Sequence, residues 1–75
     1  MNNLRDDEFL LRVGGRIREL REKRGMSMED LGAECGIERN TVFRIEKGKV
    51  NTTICTLNAL AKGLGVSVSE LMKII

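Results

Sequence analysis

Apolar residues in this chain recur at intervals of three and four, which predicts helices throughout and no sheet. Phe9, Val13, Ile17 and Leu20 mark a first helix over 6–24, opened by the carboxylates of Asp6, Asp7 and Glu8 and stopped by Gly25. Gly14 and Gly15 interrupt it at about 1 kcal/mol each relative to Ala, so residues 1–14 are expected to form a frayed or bent extension. Ser27 caps a second helix, with Asp30 placed to reach back as in a capping box, and Leu31 and Cys35 share its apolar face. A third helix covers 38–47, with Val42 and Ile45 inward and Gly48 at its end. Thr52 or Thr53 caps a fourth, whose stripe is Ile54, Leu57, Leu60 and Ala61, extended by Leu64 and closed by Gly63 and Gly65. Ser67 caps a last short helix in SVSELMKII, where Glu70 completes a second Ser-x-x-acidic box.

Five helices in 75 residues make an all-α fold, a compact five-helix bundle forming one domain over 1–75. With no Trp, Tyr or Pro and only two Phe, the core must be aliphatic, and its stability modest. No apolar run is long enough to span a bilayer, and MNNLRDDEF lacks a secretory pattern, so a cytoplasmic protein without membrane partners is expected. That compartment argues against a disulfide between Cys35 and Cys55, both of which are expected to be small core or half-buried residues. No His is present, no Ser or Cys has an evident base partner, and no phosphate-binding glycine loop occurs. The expectation is therefore no enzyme, no catalytic residue, no metal site, no cofactor and no small-molecule ligand.

The chemistry concentrates between 28 and 47. Two short helices meet there at a tight turn, with Gly36 supplying a positive φ and Gly32 room for close approach, which is the geometry of a helix-turn-helix. The face of the second of these helices opposite Val42 and Ile45 carries Arg39, Asn40, Phe43, Arg44 and Lys47. Such side chains read base edges and hold phosphates. Net charge qualifies this reading: overall it is only +2, and residues 25–48 hold three basic and five acidic side chains. Glu29, Asp30 and Glu38 are accounted for by first turns of helices, where carboxylates favour the dipole. By contrast Arg16, Arg18, Lys23 and Arg24, with Glu19 and Glu22 nearby, read as a solvated face with i,i+4 pairs.

Four segments, RIRELREKRGMS, EDLGAECGI, TVFRIEKGK and LNALAKGLGVSVSELM, together resemble the Cro and phage-repressor type of helix-turn-helix domain, the XRE-like family, over residues 15–72. The resemblance implies a lambda-repressor-like DNA-binding domain in which the third helix enters the major groove of double-stranded DNA. Carried onto this chain, Arg39 faces guanine, Asn40 adenine and Phe43 a thymine methyl, while Arg44, Lys47, Lys49 and Asn51 hold phosphate or groove edges. Met28 stands where many members have a phosphate-binding Gln, so that contact is either lost or taken over by Ser27. The loop KVNTTI lacks the Pro common in the family, a variation resembling the small controller proteins of restriction-modification systems. The family also implies an ion pair between helix one and the end of helix three, here Arg21 with Glu46.

One helix-turn-helix contacts few bases, so a homodimer on a palindromic site is expected, acting as a repressor or autoregulator of transcription. The apolar residues Leu64, Val66, Leu71, Met72, Ile74 and Ile75 are the expected dimer interface. The competing reading is a protein-interaction module, antitoxin-like or an adaptor, built on the same bundle.

Overall fold

The computed structural model describes residues 4–74. Five helices follow one another as α1 (Asp7–Lys23), α2 (Met28–Cys35), α3 (Arg39–Glu46), α4 (Ile54–Gly63) and α5 (Val68–Leu71), with no strand among the described residues. Caps account for most of these boundaries. Asp6 Oδ1 accepts from the Phe9 amide at 3.0 Å, and Thr53 Oγ1 from the Thr56 amide at 3.2 Å. At α2 the capping box closes in both directions, Ser27 Oγ accepting from the Asp30 amide at 2.9 Å and Asp30 Oδ2 from the Ser27 amide at 3.0 Å. At α5 only half of the box forms. Ser67 Oγ accepts from the Glu70 amide at 3.0 Å, but the Glu70 carboxylate turns to Arg16 and Lys73, because a charge-assisted bond outcompetes one from a neutral amide.

The core is aliphatic: Val13 and Ile17 of α1, Leu31 of α2, Val42 and Ile45 of α3, Leu60 and Ala61 of α4, then Leu64 and Leu71. Each fully buried Leu or Ile contributes about 1.5–3 kcal/mol relative to an exposed one. Burial fades toward the ends of two predicted stripes. Phe9 is 43% exposed and Ile54 80% exposed, each in the first turn of its helix, Phe9 at the edge of an open groove and Ile54 with most of its area in water. Cys55, beside Ile54, is exposed as well, contrary to expectation, whereas Cys35 is half-buried and its Sγ donates to the Ala59 carbonyl at 3.3 Å.

The glycine pair in α1 does not fray it. The helix is continuous through Gly14 and Gly15, and Gly14 is buried where α1 crosses the end of α3. A Cβ on Gly14 would lie 2.6 Å from the Glu46 carbonyl oxygen and closer still to that of Ile45, so only glycine lets the two backbones approach this closely. Gly15 faces open space. Arg16 departs from the solvated reading: its Nη2 donates to the Glu70 carbonyl at 3.0 Å and to Glu70 Oε2 at 3.1 Å, tying α1 to α5. Leu64 and Leu71 are 1% and 0% exposed and are therefore core residues with no surface to offer a partner. Val66, Met72 and Ile74 are half-buried, and Ile75 lies outside the described residues.

Candidate nucleic-acid interface

The turn between α2 and α3 is set by two glycines. Gly36 takes a left-handed conformation (φ 73°, ψ 29°), and the Gly36 and Ile37 amides both donate to the Gly32 carbonyl, which ends α2 and redirects the chain. Gly32 itself is buried, and a Cβ there would come within 2.6 Å of the Ile37 carbonyl oxygen. Glu38 occupies the N-cap of α3 without forming a side-chain cap bond.

On the outward side of α3, Arg39, Asn40, Arg44 and Lys47 are exposed, and Phe43 remains 37% exposed. Val42 and Ile45 are buried opposite Asn40 and Arg44, as helical periodicity requires, while Arg39 is exposed as the first residue of the helix. Lys47 Nζ lies 5.7 Å from the centroid of the Phe43 ring. This cation–π contact, on the order of 0.5–1 kcal/mol at an exposed site, draws Lys47 onto Phe43 and away from an independent position. Beyond α3 the Gly48 amide donates to the Ile45 carbonyl at 3.0 Å and the Lys49 amide to the Arg44 carbonyl at 2.9 Å, folding the loop with exposed Lys49 and Asn51 back beside the helix end.

Ser27 is the least available of the candidate phosphate contacts. Its amide already serves Asp30, and bonds from that amide and from the Ser27 hydroxyl hold the Asp30 carboxyl below its ordinary range, so a carboxylate lies beside Ser27.

Behind the exposed face Arg21 and Glu46 meet in the bundle. Arg21 Nε donates to Glu46 Oε2 at 2.6 Å and Nη2 to Oε1 at 3.1 Å, with the two residues 8% and 6% exposed. Nη1 donates to the Met26 carbonyl at 2.7 Å, so one guanidinium joins α1, the α1–α2 connection and the last residue of α3. Hydrogen bonding to Glu46 outweighs burial and raises the Arg21 pKa further. The pair also revises the charge count. Glu46 is neutralised in the interior and Asp30 caps a helix, so neither places negative charge on the α3 face.

Among features absent from the sequence reading is a largely apolar groove of about 280 Å3 between the start of α1 and the loop after α3, lined by Leu4, Phe9, Leu10, Val50, Leu57 and Met72 among others. Hydrophobic spacing carries no signal for it, because its walls come from four separate parts of the chain.

Comparison with known proteins agrees with this architecture. A helix-turn-helix family model matches residues 17–71. The control protein C.MunI of Mycoplasma sp is 33% identical over 66 residues, covering 87% of this chain and 89% of that protein. C.BamHI, a control protein of Bacillus amyloliquefaciens, is 33% identical over 72 residues, covering 95% and 83%. The crystal structure of the restriction-modification controller protein C.AhdI from Aeromonas hydrophila superposes with a TM-score of 0.82 at 35% identity, covering 84% of this chain and 96% of that one. By sequence and by fold, the chain belongs to the helix-turn-helix family of the XRE-like, Cro and phage-repressor type.

Proposed function

We propose that this protein is a sequence-specific regulator of transcription that binds double-stranded DNA through α3 and acts, as a repressor or autoregulator, on a palindromic site. The observation that carries this reading is the row Arg39, Asn40, Phe43 and Arg44, exposed on a helix whose reverse side is locked to α1 by Arg21 and Glu46. A rigid helix with bidentate side chains near its N-terminus suits the major groove. Catalysis has no part in this reading. The near full-length similarity to control proteins favours a small controller of the kind found in restriction-modification systems.

Selection of bound duplexes from a random pool tests the reading directly and is expected to return a palindrome. On that duplex Arg39→Ala is expected to relax preference at one base position at a cost of roughly 1–3 kcal/mol, whereas Arg44→Ala or Lys49→Ala weakens all sequences alike and flattens the salt slope. Unchanged affinity in all three variants rejects the assignment.

A symmetric dimer places two α3 helices about 34 Å apart, one turn of DNA. With Leu64 and Leu71 committed to the core, the surface for it reduces to Val66, Met72 and Ile74, joined by Ile54, an aliphatic side chain with most of its area in water. Sedimentation is expected to show a dimer at micromolar concentration and a folded monomer for Ile54→Asp. A monomer in the unsubstituted chain defeats this part of the reading.

A further inference from the structure

Arg5 lies outside the segment matched by the family model and just ahead of the Asp6 cap of α1. Its side chain nevertheless reaches across the molecule. Arg5 Nη2 donates to the Lys49 carbonyl at 3.1 Å, and Nε donates to Asp7 Oδ1 at 2.7 Å, which fixes the plane of the guanidinium. Beside this bond, Leu4, Phe9 and Val50 line the apolar groove, so the start of α1 and the loop face each other across it.

Val50 packs partly against the core, but backbone hydrogen bonds to the loop are few. Lys49 is anchored through its amide to Arg44, and Thr53 caps α4, but Val50, Asn51 and Thr52 make no backbone–backbone hydrogen bond among the described residues. A segment without backbone hydrogen bonds of its own depends on side-chain contacts for its order, and any order it lacks beforehand must be supplied from binding free energy when it meets a phosphate.

We propose that Arg5 is a positioning residue for DNA binding, a strap from the N-terminal segment that holds the Lys49–Asn51 loop in the conformation that meets phosphate. This rests on the DNA-binding reading above. Arg5 acts through the loop and not as a phosphate contact itself, because Asp7 at 2.7 Å already compensates its charge. The role is therefore geometric and separable from counterion release.

Arg5→Ala and Arg5→Gln in the full chain test it, Gln keeping a donor without the charge. Three quantities are measured: affinity for the selected duplex, its dependence on salt, and amide exchange at Lys49 in the free protein. For Arg5→Ala the expected result is a roughly fivefold to tenfold loss of affinity with an unchanged salt slope, and faster exchange at Lys49 without DNA. Arg5→Gln recovers most of the affinity. A salt slope shallower by about 0.9, with exchange unchanged and no recovery by Gln, identifies a direct phosphate contact and overturns the proposal. Unchanged affinity in Arg5→Ala overturns it as well. Failure of the unsubstituted chain to bind duplex DNA is a separate result, visible before any substitution, and removes the reading on which the strap depends.

Discussion

Replacing Glu46 by Ala is expected to destabilise the fold by about 3–5 kcal/mol, measured as a fall in the urea midpoint at constant slope. The size of the effect comes from what is left behind. Arg21 would keep its charge with the carboxylate gone, in a place where water cannot replace both bonds now made at 2.6 and 3.1 Å. A domain of this length has on the order of 4–11 kcal/mol in total, so the variant lies near the edge of folding. Arg21→Ala is expected to be as costly, because it strands the Glu46 carboxylate and also the Met26 carbonyl. Removing both charges in Arg21→Met with Glu46→Leu is expected to recover most of the loss, since well-packed apolar replacements of a buried pair are often neutral or better. A cost below about 1 kcal/mol for Glu46→Ala would place the pair with exposed ones and end its claim to hold α3 in position.

Gly14→Ala and Gly15→Ala are expected to move stability in opposite directions, although the two residues are neighbours in one helix. By helix propensity both substitutions gain about 1 kcal/mol. Gly15 meets nothing, so Gly15→Ala is expected to retain that gain. At Gly14 the new methyl meets the Ile45 and Glu46 carbonyl groups, which are backbone and cannot turn aside. Either α1 separates from α3 or the end of α3 shifts, and overpacking of this kind typically costs about 1–3 kcal/mol. Thermal unfolding of the two variants side by side decides the matter: equal stabilisation would mean that the helices part without penalty. Any shift of α3 also moves Arg44 and the loop behind it, so Gly14→Ala is expected to weaken DNA binding in the folded fraction.

The opposite outcomes show why one part of the molecule was legible in the sequence and another was not. Periodicity reports which residues of one helix share a side, and for Leu31, Val42, Ile45, Leu60 and Ala61 that side is the core. It says nothing about where a helix outruns close packing, so the stripes that include Phe9 and Ile54 extend beyond the buried core. Gly14 read as a local weakness because propensity is a property of one helix, whereas its function is a contact between two. Arg16 and Glu70 carry separate local signals, a solvated face and half of a capping box, and only the fold brings them within 3.1 Å of each other.

The exposed row on α3 was legible for a physical reason. Once Val42 and Ile45 point inward, 3.6 residues per turn leave Asn40 and Arg44 facing outward and Phe43 on the flank, whereas Arg39, on the same side of the wheel as Val42 and Glu46, is exposed because it is the first residue of α3. Lys47 differs, being drawn over the Phe43 ring by a contact that depends on side-chain conformation.

By itself the amino-acid order determined the number of helices, their caps, the glycine turn between α2 and α3, and the chemistry of the outward face, since all of these follow from interactions within about four residues. Tertiary structure alone decided that Leu64 and Leu71 are interior, that Gly14 is a crossing point, and that Arg5 reaches Lys49. All of these join residues far apart in the chain. The segment that carries the chemistry could be found from its pattern, but what holds it in place is supplied by α1.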